Sequence, residues 1–317
     1  MRRRSILFVS AVLAITTVVS APALAHDDDG DSGGTYLALG DSIVAGTQQP
    51  LPFTSNGYVD GLFDELQDEY GFDTLVNLGC PADDTREFIN GDNGPNGGSL
   101  CYGTGAPLPP GGTSQLDAAL GVLAANPGEV RLITITMGAN DIFRCDSSAS
   151  NAAACLGTEI GLMATNLVTI LATLRAAAPG VPIIGMNYYN PNLGFWPVSP
   201  AAAEASQALV RPFNGALESV YAAFGVPVAD VETAFKTFET AGNVPKNVRA
   251  ICKYTLMCEK SGGTYVLSDY DPFTFGPQTD IHPSNKGYDK IADTFEGLIE
   301  DLGLFSGHDS NGDDDSD

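Results

Sequence analysis

Histidine is scarce in this chain. Of three, His26 and His308 lie in acidic, glycine-bearing terminal segments, and His282 alone lies in the body of the sequence, within Asp280-Ile281-His282-Pro283. A reaction that needs an imidazole base therefore has one candidate. Positive charge is also short: 15 Lys and Arg face 39 Asp and Glu, for a formal net charge of -24. A surface of that sign repels phosphate backbones and anionic lipid, which argues against nucleic acid as a partner. Several motifs are missing as well. There is no Cys-x-x-Cys pair or supporting histidine for a zinc cluster, no His-Glu-x-x-His and no P-loop. There is neither a Gly-x-Ser-x-Gly elbow, which argues against an α/β-hydrolase, nor the Ser-x-x-Lys set of a β-lactamase. The Asp-rich ends do not match EF-hand spacing, and no internal repeat is present.

What is present begins with a leader. Arg2, Arg3 and Arg4 precede an apolar stretch from Ile6 to Val19, and Ala23-Leu24-Ala25 offers a small-residue cleavage site. Residues 1–25 read as a secretory signal peptide, too short in its apolar part for a membrane span. No other segment reads as apolar enough to cross a membrane, so a secreted, soluble protein without stable membrane insertion is expected. Loss of the three leader arginines takes the formal charge from -24 to -27. Residues 26–33 and 305–317 read as acidic, disordered segments, which leaves one domain over 34–304. Six cysteines in an exported chain point to disulfides. Fifteen pairings are possible; spacing suggests the local ones, Cys80–Cys101, Cys145–Cys155 and Cys252–Cys258, with a structural rather than catalytic role.

Strand-like and helix-like segments alternate along the domain. Thr35–Leu39, Thr74–Leu78, Val130–Met137, Val181–Met186 and Val226–Val231 read as strands. Helical periodicity marks Gly57–Glu69, Ser114–Ala125, Thr158–Ala178, Pro200–Phe224 (with an interruption expected near Pro212) and Ser284–Leu302, where Ser284 is a candidate cap. Continuous apolar strands separated by helices predict a parallel sheet covered on both faces: an α/β protein, a three-layer α/β/α sandwich. Pro81–Gly112 and Gly242–Asp280 are predicted to be long irregular walls of a substrate cleft.

Active sites in such sheets lie beyond the carboxyl ends of the strands. Ser42 follows the first strand, in Gly40-Asp41-Ser42; Gly79 follows the second; Asn140 follows the third. Acyl transfer needs a nucleophile, a base, an orienting group and donors for an oxyanion. Ser42 and His282 supply the first two. The N–H groups of Ser42 and Gly79 and the side-chain amide of Asn140 are candidate donors. Asp41 and Asp141 read as braces of the nucleophile loop. Phe195 and Trp196 either line an acyl pocket or pack in the core, and Tyr188 and Tyr189 read as structural.

These blocks resemble those of the SGNH (GDSL-type) hydrolases: Gly40-Asp41-Ser42-Ile43-Val44-Ala45-Gly46, then Asn77-Leu78-Gly79, then Gly138-Ala139-Asn140-Asp141, then His282-Pro283, in order over about Thr35 to Leu302. The resemblance implies a flavodoxin-like sandwich and hydrolysis of carboxylic esters by a secreted esterase or lipase. It implies no metal or cofactor. A small-molecule or lipid ester is the expected partner, and the chain is expected to be a monomer. A carbohydrate acetyl esterase, or a non-catalytic binding protein on the same fold, are the alternatives. The chain departs from the pattern in two places. Ile43 stands for leucine, and the acid often found three residues before the histidine is here Thr279, with Asp280 two before. Either Asp280 orients His282, or a backbone carbonyl from 272–278 does.

Overall fold

A computed structural model describes residues 33–91, 98–104, 106–145, 150–268 and 279–305. The leader, the acidic ends beyond these limits and the 272–278 backbone lie outside the described residues. Five parallel strands, β1 (Gly34–Gly40), β2 (Phe72–Asn77), β3 (Val130–Thr136), β4 (Ile183–Met186) and β5 (Val228–Ala229), form one sheet in the order β2-β1-β3-β4-β5. The sheet is parallel because each strand returns through a helical crossover, α1 (Tyr58–Tyr70), α3 (Gln115–Ala125), α5 (Ala152–Ala177) or α6 (Pro200–Ala223). α1 packs against α9 (Asn285–Leu302); α3 and α5 pack with the short α2 (Thr85–Asn90), and α6 packs against α5. All seven residues of central β1 are buried, as are six of seven in β3. β2 lies at the edge, and only Phe72 of it is buried.

Local chemistry sets the element ends. Ser114 Oγ caps α3 by accepting from Asp117 N, and Ser284 Oγ caps α9 by accepting from Gly287 N. The two stretches expected to be irregular are partly regular. The first contains α2, whose Asp84 and Glu87 form a capping box. The second contains α8 (Lys246–Tyr254) and the antiparallel hairpin β6 (Cys258–Ser261) and β7 (Thr264–Leu267). The six-residue α2 is too short to show an apolar period, whereas α8 is amphipathic, with Val248 and Ile251 on its buried face. α6 also runs through Pro212 without a break; Pro212 is exposed, so the carbonyl it leaves unpaired faces water. β5 shrinks to two residues at the sheet edge. The short helices α4 (Ala139–Phe143) and α7 (Val231–Ala234) complete the set.

α5 corrects a further expectation: by length and composition it is apolar enough to cross a membrane. Here Met163, Leu167, Ile170, Leu171 and Leu174 form a stripe buried in the core. Beyond α9, Phe305 packs at 5.2 Å on Phe72 and 5.5 Å on Tyr70. All six cysteines are paired, Cys80–Cys101, Cys145–Cys155 and Cys252–Cys258.

Candidate active site

Ser42 sits on a tight turn at the end of β1, and backbone geometry explains the glycine before it. Gly40 has φ 146°, and a Cβ there would meet Thr136 O at 2.0 Å. Gln115, from α3, holds the same peptide twice: Gly40 N donates to Gln115 Oε1 at 2.6 Å and Gln115 Nε2 donates to Gly40 O at 3.0 Å. Asp41 turns inward. Its Oδ1 accepts from Ile43 N at 2.9 Å and its Oδ2 from Tyr188 Oη–H at 2.9 Å. Burial pushes its carboxyl up to about 6, against those hydrogen bonds. This leaves the Ser42 N–H without a partner among the described residues.

The second and third blocks pack against this turn. Asn77 Nδ2 donates to Val44 O and Asn77 Oδ1 accepts from Gly79 N, both at 2.9 Å. A Cβ on Gly79 would lie 2.7 Å from Ala45 N, so glycine is required there by close packing. The Gly79 N–H is thus engaged by Asn77. Asn140, at the start of α4, uses one Nδ2 hydrogen on Asp83 O at 2.8 Å. Asp141 accepts from Thr85 N at 3.0 Å and from Thr85 Oγ1 at 2.6 Å, and burial pushes it up to about 6.

His282 arrives from the other end of the chain on a segment pinned on several sides. Leu256 N donates to His282 O, Tyr189 Oη to Ile281 O, and Gln48 Nε2 to Pro283 O. Asp280 Oδ1 lies 2.5 Å from His282 Nδ1 and accepts from His282 N at 3.0 Å, while Oδ2 accepts from Gln49 N at 3.0 Å. Burial pushes the Asp280 carboxyl up, but the hydrogen bonds and charge of His282 outweigh it and hold the group below its ordinary range.

Ser42, Asn140 and His282 line one cavity of about 350 Å³. Gly79 is not among its lining residues; it braces the floor behind Ser42. The far walls are apolar: Ile142, Phe143 and Leu156 on one side, and Leu209, Val210 and Phe213 of α6 on the other. Phe143 and Leu209 are 48% and 42% exposed, at the mouth. Two polar side chains of the lining are already paired with each other, as Asn190 Nδ2 donates to Ser206 Oγ at 2.7 Å and Ser206 Oγ donates to Ala203 O. Phe195 and Trp196 do not line the cavity. Tyr188 and Tyr189 do, and they tie the Ser42 turn and the His282 segment to the end of β4. Sequence reading treated the two tyrosines as structural and passed over Gln115. An aromatic pair directly after a strand end was the available signal for the former; nothing in the sequence links Gln115 to Gly40.

Comparison with known proteins identifies the family and the fold. The sequence model of the GDSL-like Lipase/Acylhydrolase family matches residues 38–290. No curated protein sequence shows significant similarity to the chain. Among solved structures, phospholipase A1 from Streptomyces albidoflavus NA297 is similar at a TM-score of 0.53 and 14% identity, over 84% of this chain and 99% of that one. An extracellular lipase from Streptomyces rimosus is similar at 0.50 and 15%, over 83% and 99%. At these identities the likeness shows the shared fold.

Proposed function

The chain belongs to the GDSL-like Lipase/Acylhydrolase family, and from that membership we propose that it is an exported serine hydrolase of carboxylic esters bearing an apolar acyl chain. One observation carries the reading: His282, held at Nδ1 by Asp280, lines the same cavity as Ser42 and Asn140. In this reading His282 Nε2 accepts the Ser42 proton as Oγ bonds to the ester carbon. The oxyanion is met by the Ser42 N–H and the second Nδ2 hydrogen of Asn140. Gly79 is the third donor if its N–H exchanges Asn77 Oδ1 for the substrate. The imidazolium returns its proton to the leaving alkoxide, and water, deprotonated by the same nitrogen, releases the acid and restores Ser42. Asp280 stabilises the imidazolium and holds the ring's tautomer.

The cavity supports the acyl preference. A methylene is about as large as a water's ~30 Å³ share of the liquid, so 350 Å³ accommodates a chain of roughly ten carbons. The side chains of Ile142, Phe143, Leu156, Leu209, Val210 and Phe213 offer a sugar alcohol no hydrogen bonds. Three disulfides and no free cysteine fit an oxidising destination.

Hydrolysis of a nitrophenyl ester series from acetate to palmitate, with Ser42→Ala alongside, tests the reading. Activity with a maximum at medium chain length that vanishes in the variant is expected. A maximum at acetate together with release of acetate from acetylated sugars would move the reading to a carbohydrate acetyl esterase. An inert protein that no fluorophosphonate labels would overturn the serine mechanism and leave a binding role.

A further inference from the structure

Asn140 lies on α4, a five-residue helix with no side-chain cap at its N-terminus. So short a helix does not hold its own orientation. What grips it is the first turn of α2, which comes from the opposite side of β3 in sequence. Asp83 O takes the Asn140 amide, and Thr85 binds Asp141 with both its N–H and its hydroxyl. At the far end of α4, Arg144 Nη2 closes on Asp84 Oδ2 and lies 3.5 Å from Glu87 Oε2. These three side chains are 8%, 0% and 3% exposed. Asp84 is used from both sides: Oδ1 caps α2 by accepting from Arg86 N and Glu87 N, while Oδ2 meets Arg144. One buried carboxylate therefore terminates one helix and anchors the other.

We propose that Arg144 is a positioning residue for the oxyanion donor: by bridging α4 to the capped turn of α2, it sets where the Asn140 amide points in the Ser42 cavity. The inference rests on the role given to Asn140 above. Asp141 and Asp83 fix the start of α4 near its axis. Beyond α4 the Cys145–Cys155 disulfide also ties the chain to α5, but it acts outside the helix and through rotatable bonds, so without the guanidinium bridge the helix tilts about its start, and a donor's alignment to an oxyanion is sensitive to such a tilt. A misplacement of about 1 Å can cost ~10² in rate. Two buried carboxylates, Asp84 and Glu87, face the guanidinium, and no other cation lies within 4 Å of Glu87 among the described residues; Arg86 Nε approaches Asp84 only at 3.6 Å.

A double-mutant cycle tests the proposal. Arg144→Gln is made in the wild-type chain and in Asn140→Ala, and kcat and KM are measured on a medium-chain nitrophenyl ester, with thermal melts to verify folding. If Arg144 acts through Asn140, Arg144→Gln lowers kcat ~10- to 100-fold with KM little changed. In the Asn140→Ala background the same change then lowers kcat less than about threefold, because the donor it aimed is already gone. An equal fold-loss in both backgrounds overturns the proposal, as that is what a purely structural role gives. So does an unchanged kcat. If Arg144→Gln does not fold, the cycle is run with Arg144→Lys, which keeps the charge and loses the fork. A wild type that hydrolyses no ester overturns both this proposal and the functional reading. An active, Ser42-dependent wild type with a flat or additive cycle overturns this proposal alone.

Discussion

Replacing Asp280 by asparagine probes the site through a simple shortage: the carboxylate accepts three hydrogen bonds and an amide oxygen cannot replace both of its oxygens. Oδ1 serves His282 N and His282 Nδ1, and Oδ2 serves Gln49 N. If the asparagine oxygen takes the Oδ1 place, its amide faces the Gln49 N–H, donor against donor, at a cost of about 1–3 kcal/mol in stability. The ring tautomer then survives, but the negative charge that stabilises the imidazolium is gone. With the oxygen at the Oδ2 place, the amide donates to Nδ1, the ring proton moves to Nε2, and the base cannot accept from Ser42. The expected loss in kcat is ~10² to 10⁴, the upper end being the wrong tautomer, with KM changed by less than about twofold since no ground-state contact to the acyl chain is touched. The assay is steady-state hydrolysis of a nitrophenyl octanoate across pH, with thermal melts and Asp280→Ala as the variant free of amide ambiguity. A folded Asp280→Asn and Asp280→Ala that both keep kcat within about threefold of wild type would refute the assignment of Asp280 as the orienting group.

Tyr188→Phe removes the hydroxyl that donates to buried Asp41 Oδ2. It should cost about 1–3 kcal/mol in a denaturant melt and lower kcat by loosening the Ser42 turn; unchanged stability would show that the bond is dispensable. Asp83 is fully buried, and neither carboxyl oxygen has a hydrogen-bond partner; nearby Ser99 and Gln115 are used on Cys101 N, Tyr102 N and Gly40. Burial, with Glu87 and Asp41 close by, pushes it up to about 8. The folded chain thus keeps this proton where the unfolded chain, with an ordinary carboxyl near ~3.9, has lost it. Stability should fall as pH rises from about 4 to about 8, by up to ~1.4 kcal/mol per pH unit from this group. Asp83→Asn should match wild type near pH 4 and exceed it near pH 8, and parallel melting curves at both would contradict the burial argument. Leu209→Trp narrows the mouth of the cavity at a half-exposed position. Nitrophenyl acetate should be hydrolysed as before, while kcat/KM on octanoate falls roughly tenfold, about 1.4 kcal/mol of lost acyl binding; an unaltered chain-length profile would place the acyl group elsewhere.

Much of the fold was legible because the strands that build it are buried on both faces and so are continuously apolar. Tyr36 to Leu39 and Leu132 to Ile135 could be read as strands for that reason. α2 and the β6–β7 hairpin carry too few apolar positions to show a period, whereas α8 has one, with Val248 and Ile251 on its buried face, and the sequence reading passed over it. The Asp84–Glu87 capping box was the one local signal for α2. Pro212 misled because propensity says nothing about which carbonyl can turn to water. At the site, Ser42, Asn140 and His282 stood out by residue type and by their places relative to the strands. Gln115, Tyr188, Tyr189 and Arg144 did not, since each acts on a residue between 60 and 147 positions away.

The sequence by itself determined the layer architecture, the carboxyl-end location of the blocks, and the single histidine available as a base. These follow from composition and period, which are local properties of the chain. Only the tertiary structure decided which group meets His282 Nδ1. Asp280 is two residues away, and its geometry depends on the segment that Leu256, Tyr189 and Gln48 hold in place. The same holds for the cavity walls, where α6 rather than the Phe195–Trp196 turn supplies the apolar surface, and for the grip of α2 on α4. Those outcomes depend on distances between elements far apart in the chain, and packing sets such distances only once the sheet has assembled.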